Sequence, residues 1–169
     1  MNFKVSNNVD KVKYHSDVNF GKRNQDIVLK YLSLYFSNLF NEVIEVKEFQ
    51  NNSSRFDFYL AKKNILIELK SRRCTYEAYP TQIIGENKIK LGKKKMEHGY
   101  RVFYCFLLQD NEKEDKMNLY IKEDTIDSEY EVRILGNFAR NDKSSRCCVI
   151  QNTDLKFISS LIVSYLYIF

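Results

Sequence analysis

At 169 residues, with 44% hydrophobic and 14% aromatic side chains, the chain can fill one well-packed core and is too short for two comfortable ones. Five glycines and one proline exclude a loop-rich or collagen-like chain. A formal charge of +5 is a mild basic bias, compatible with a polyanionic partner without requiring one.

Residues 1–18 are polar and aperiodic and are expected to form an irregular arm, without the apolar segment of a secretory leader. Val28, Tyr31, Leu32, Tyr35 and Leu39 then recur at spacings of three and four, which predicts a helix over about 22–40. Glu42–Phe49 roughly alternates and is expected to be a strand, closed by the turn-rich segment 50–54. Two short apolar strands follow, near 55–60 and 65–71. After Pro80, the segment from Thr81 to about Gly99 is expected to be a second helix. Arg101–Leu108 is a nearly continuous apolar run, the mark of a strand covered on both faces. A charged loop at 109–117 precedes short strands around Leu119–Ile121, Glu129–Leu135 and Cys147–Ile150, with residues 136–146 as a loop. Asp154–Phe169 fits a C-terminal helix with Asp154 as its N-cap.

These elements predict one α/β domain whose mixed central sheet is flanked by helices. Its core is α-β-β-β-α-β over residues 19–108, with additional strands and a helix over 109–169. Four cysteines (Cys74, Cys105, Cys147 and Cys148) show no C-x-x-C spacing, and only His15 and His98 could help them, so no zinc site is expected. Cys105 lies in the apolar run and is expected in the core. The apolar tail 157–169 is too short to span a bilayer. A reduced, intracellular protein with no membrane role is the expectation.

The chemistry is concentrated in RFDFYLAKKNILIELKSRR, from Arg55 to Arg73. Asp57, Glu68 and Lys70 stand where a sheet would ordinarily carry apolar residues. A connection at Ala61–Asn64 pairs Leu60 with Ile65 and sets Asp57 opposite Glu68, while strand alternation puts Glu68 and Lys70 on one face. Like charges directly opposed in a sheet are destabilising. A divalent cation offsets that repulsion: Mg²⁺ and Mn²⁺ favour carboxylate oxygens and are held by one or two of them plus substrate phosphate. On this reading Asp57 and Glu68 are the metal ligands, the Leu69 carbonyl is a further one, and Lys70 orients the attacking water or stabilises the transition state.

Asp57, ten intervening residues, then Glu68-Leu69-Lys70 resembles the motif of the PD-(D/E)XK nuclease superfamily, with Phe56 where that motif has proline. The resemblance spans residues 19–108. It implies a restriction-endonuclease-like fold and a Mg²⁺- or Mn²⁺-dependent nuclease acting on DNA, in the endonuclease mode. A further acid on the first helix is implied too, with Asp26 as the choice and Gln25 as a neutral ligand orienter. Asp26 as a plain helix-dipole residue stands level with that role. Similarly, YEAYPTQIIGENKIKLGKKK resembles a later motif in which Gln82 and Lys88 face the site, with Asn87 behind them.

Between Lys62 and Lys95 ten Lys or Arg stand against three acids, so the basic charge lies beside the suspected site. Arg72, Arg73, Tyr79, Lys93, Lys94 and Lys95 are expected to contact nucleic acid, with Arg140 beyond them; for Tyr76 and Tyr79 alike, core or rim packing is the better-fitting alternative to stacking on bases. A homodimer through the apolar tail is compatible with this reading. The alternatives are a non-catalytic nucleic-acid-binding relative, an endoribonuclease on the same scaffold, or an ordinary hairpin with surface charges.

Overall fold

Val28, Leu32 and Phe36 stand four residues apart and are fully buried, forming the inward stripe of the first helix, α1 (Asn7–Phe40). The structure, a computed structural model, describes residues 7–49, 55–110, 113, 116–136 and 145–162, with side chains from Asn24 to Leu161. Starting at Asn7, α1 takes in the described part of the expected irregular arm. Extension of an existing helix adds one hydrogen bond per residue with no new nucleation cost, so an apolar stripe is not required there. The helix stops where Asn41 turns left-handed, at φ 52°.

The strand expected over Glu42–Phe49 shrinks to β1 (Lys47–Glu48). Helix serines capture its backbone instead: Ser37 Oγ accepts the Ile44 N–H at 2.9 Å, and Ser33 Oγ accepts the Val46 N–H at 3.0 Å. Groups bonded in this way cannot join a ladder. The expected hairpin forms from β2 (Phe58–Leu60) and β3 (Ile65–Thr75), with Leu60 paired to Ile65. A 3₁₀ turn over Ala61–Lys63 joins them, and left-handed Asn64, at φ 50°, closes it.

Thr81–Gly85 is a strand, β4, where the second helix was expected to begin. Its β-branched Thr81, Ile83 and Ile84 suit a pleated surface, and it pairs antiparallel with β8 (Ser145–Gln151). The helix α2 therefore covers only Glu86–Met96. β5 (Arg101–Gln109) returns parallel to β3, and β6 (Lys116–Glu123) pairs antiparallel with β5. β7 (Val132–Leu135) pairs with β8.

Within the segment expected to be a C-terminal helix, Lys156–Ile162 is a strand, β9, and Asp154 belongs to a short 3₁₀ turn rather than capping a helix. β6 supplies the reason: β9 completes the ladder on its far edge and sets Leu161, fully buried, opposite Met117. Of the apolar tail 157–169, to which the proposed dimer contact was assigned, residues 163–169 lie outside the described residues.

Among the described residues the protein is mixed α/β, with a six-stranded mixed sheet in the order β1-β2-β3-β5-β6-β9 and a second, three-stranded sheet β4-β8-β7. Alternation on β3 and β5 divides the core between the two faces. Ile65, Ile67, Leu69, Phe103, Cys105 and Leu107 pack under α1, with Cys105 in the core as expected. Leu66, Val102, Tyr104, Phe106 and Leu108 pack against Ile84 of β4, Ile89 of α2 and Cys148 and Ile150 of β8. No helix among the described residues is long and apolar enough to cross a membrane.

At Gly92, which is buried, α2 packs directly against this sheet. A Cβ there would stand 2.6 Å from the Tyr104 hydroxyl and 3.3 Å from Val102 Cγ1. Gly92→Ala is therefore expected to destabilise the fold by about 2 kcal/mol through overpacking, seen as a lower urea midpoint. A midpoint at or above the wild-type value would contradict this packing.

Candidate active site

The site lies where β2 and β3 meet the first turn of α2. The ladder continues past Phe58–Ile67, with the Asp57 N–H donating to the Ile67 carbonyl at 3.0 Å, so Asp57 comes level with Glu68. Glu68 is 1% exposed and both its oxygens are engaged: Oε1 accepts from Lys70 Nζ at 2.5 Å, and Oε2 from Lys88 Nζ at 2.7 Å. Lys88 reaches it from α2 and also donates to the Arg55 carbonyl. Asp57 is half-buried, and its Oδ2 accepts the Leu69 N–H at 2.7 Å. Leu69, whose carbonyl is the further ligand expected, thus contributes its N–H as a donor to the Asp57 carboxylate.

Burial first, then the negative charge of Glu68, raises the pKa of Asp57 above its ordinary value; the Leu69 N–H, Lys70 and Lys88 oppose the shift. The two carboxylates therefore lie close enough to repel. The protein already supplies much of the offset, because two carboxylates and two ammoniums sum to zero charge.

A testable consequence concerns pH. A carboxyl whose folded pKa is raised binds its proton more tightly in the folded chain than in the unfolded one. Its ionisation then costs stability, and the cost grows as pH rises from the ordinary value of 3.8 through the folded value. Asp57→Asn keeps an oxygen for the Leu69 N–H and removes that cost. Without added metal it is expected to melt above wild type at pH 7 and level with it at pH 3, by calorimetry. A wild-type protein that is the more stable at pH 7 would contradict the sign.

The other expected site residues divide. On α1, Asp26 is exposed and Gln25 half-buried, while the residue aimed inward is Asn24, 1% exposed and four positions before Val28. Neither amide atom of Asn24 finds a hydrogen-bond partner among the described residues, and the same holds for Ser71 Oγ on β3. The four-residue stripe 24-28-32-36 is the sequence signal for Asn24, whereas the local glycine-then-acid pattern points to Asp26. Among the described residues, no three acidic, histidine or cysteine side chains converge, so the structure does not bring Asp26 together with Asp57 and Glu68.

Gln82 does not face the site from a helix. It is buried on β4 and donates to Asn152 Oδ1 at 3.3 Å. Asn152 in turn donates to the carbonyls of Tyr76 at 2.6 Å and Tyr79 at 2.7 Å, so this network holds the 76–80 turn. Tyr76 packs at 4.8 Å on the Tyr120 ring, in keeping with a packing role.

The basic residues divide in the same manner. Lys93 is consumed internally, donating to the carbonyls of Thr125, Ile126 and Ser128. Arg72 is half-buried, and burial lowers its pKa. Arg73, Tyr79, Asn87 and Lys94 are exposed; the Asn87 side chain accepts the Lys88 N–H. Lys95 Nζ sits 5.4 Å from the Tyr100 ring centroid. Arg146 is exposed and forms a two-point pair with Glu86. Arg140 lies outside the described residues.

The group that converges is Asp57, Glu68, Lys70 and Lys88, around the backbone of Leu69. In comparison with known proteins, the chain matches no family model, no curated protein and no solved structure.

Proposed function

We propose that this protein is a divalent-metal-dependent nuclease that hydrolyses phosphodiester bonds in DNA, a member of the PD-(D/E)XK superfamily with a restriction-endonuclease-like core. The observation that carries this reading is a carboxylate 1% exposed, Glu68, approached by two ammoniums and standing level with a second carboxylate of raised pKa. Perturbed titratable groups clustered in this way are a mark of functional sites. The order α1, the β1-β2-β3 meander, the α2 crossover and the parallel strand β5 supports it further.

Two hard oxygen donors fit Mg²⁺ or Mn²⁺, which commonly take one or two protein carboxylates together with substrate phosphate. Asp57 and Glu68 would hold the ion. When bound it polarises a phosphoryl oxygen and lowers the pKa of a water molecule. With an ion held there, Lys70 and Lys88 would no longer be needed to neutralise Glu68. Lys70, one position along β3 from the Leu69 N–H that orients Asp57, would be placed to orient the attacking water or stabilise the developing phosphoryl charge. Lys88 stays tied to the Arg55 carbonyl and holds α2 against the hairpin.

One observation favours a second reading. Because Lys70 and Lys88 answer both Glu68 oxygens, the cluster is electrically satisfied without an ion, as in a nucleic-acid-binding relative that does not cleave. Labelled linear duplex, single strand, four-way junction and RNA, each with Mg²⁺, Mn²⁺ or EDTA, separate the two. Metal-dependent cleavage of a DNA substrate that EDTA stops is the expected result. Salt-sensitive binding with no turnover on any substrate would establish the second reading instead.

A further inference from the structure

A cleft of about 530 Å³ opens between α2 and the β2–β3 hairpin. Its walls carry four aromatic side chains, Phe49, Phe56, Tyr59 and Tyr100, and its cations are Arg55 and Lys95. None of the described residues that line it is acidic. The Phe49 and Tyr59 rings pack with centroids 4.5 Å apart, so the aromatic wall is held in shape. Lys95, over the Tyr100 ring, sets a positive charge beside the second aromatic surface.

The cleft continues into the site described above. Leu66, which lines it, precedes Glu68 by two residues on β3 and shares its face. Leu91 and Lys95 follow Lys88 at helical spacing on α2, so one stripe of that helix borders both places. Lys88 bridges them physically, bonding Glu68 on one side and the Arg55 carbonyl on the other, with its Nζ 6.0 Å from the Phe56 ring centroid.

We infer that this cleft takes the base of one unpaired nucleotide, making a single-stranded segment next to the scissile phosphate the preferred substrate. The inference rests on the nuclease reading for the identity of that phosphate. The volume lies within the range of small-ligand pockets and cannot admit a duplex. Aromatic faces interleaved with cations are the chemistry that binds single strands, because every base offers a π-face and every nucleotide a phosphate. A lining without carboxylates suits an anionic ligand and disfavours a cationic one. An apolar peptide side chain would fill the aromatic wall and leave Arg55 and Lys95 without a counterpart.

The test measures fluorescence polarisation in EDTA with a labelled twelve-residue oligothymidylate, its fully abasic counterpart, and a duplex of the same length. The wild-type protein is expected to bind the oligothymidylate about tenfold more tightly than the abasic strand, and more tightly than the duplex. Tyr100→Leu is expected to lose that tenfold preference while binding the abasic strand as wild type does; Tyr100→Phe is expected to retain it. Equal affinity of the wild-type protein for the two strands, or an undiminished preference in Tyr100→Leu, overturns the inference.

Because no cleavage is measured, the outcome separates from that of the nuclease reading. Base-dependent binding by a protein that never cuts upholds the cleft and ends the nuclease reading. Metal-dependent cutting without base-dependent binding does the reverse.

Discussion

Lys70→Ala is expected to slow metal-dependent phosphodiester cleavage by about 10²–10³-fold, the loss that follows removal of one preorganised group at a developing negative charge. Binding of uncleaved substrate in EDTA should change little, since Lys70 is one cation on a broadly basic surface and its ammonium is turned toward Glu68. Lys70→Arg is not expected to restore the rate, because a planar fork does not place a point charge where an ammonium does. Lys88→Ala is the informative comparison. Lys88 also bonds Glu68 and is tied to the Arg55 carbonyl, so its loss is expected to be the smaller, about tenfold. Initial rates with Mn²⁺ on the best substrate of the panel decide the matter. Equal rates in Lys70→Ala and wild type would remove Lys70 from the chemistry.

Glu68→Gln is expected to abolish cleavage and also to lower stability by about 2 kcal/mol. Breaking a fully buried ion pair by removing one partner costs about 3–5 kcal/mol, since the other charge is left uncompensated. Here the two orphaned ammoniums keep 27% and 25% exposure, and water recovers part of the loss. Lys88→Met in the same chain removes one of those charges and is expected to return roughly half of the cost, a positive coupling in the double-mutant cycle. Urea denaturation without metal measures it. If the two changes simply add, Lys88 and Glu68 do not form the pair described. The cycle also guards the activity measurement, because a variant that is folded and inactive has lost chemistry rather than structure.

Asp57, Glu68 and Lys70 were legible in the sequence because the β-strand period is short and strict. Once Leu60 pairs with Ile65, the level of Asp57 against Glu68 and the common face of Glu68 and Lys70 follow from alternation. Cys105 in the core and the doubly covered β5 were legible for a different reason, both resting on one uninterrupted apolar run. Lys88 was found through a resemblance, and its bond to Glu68 joins residues 20 positions apart.

Other features depended on partners that no local window contains. Gln82 leaves the site because β8, more than 60 residues later, draws Thr81–Gly85 into a ladder. Lys93 is no longer available to a phosphate because three carbonyls of the 125–128 segment surround it. Lys156–Ile162 became β9 because β6 had an edge to complete, and a short apolar run suits a helix or a strand equally well until such an edge is present.

Residue order alone settles which side chains share a face of β3, since backbone geometry repeats without regard to the rest of the molecule. Folding in three dimensions selected which cations reach Glu68, which are consumed by carbonyls, and where an aromatic cleft opens beside them. Those outcomes depend on distances between segments far apart in the chain, and periodicity carries no information about such distances.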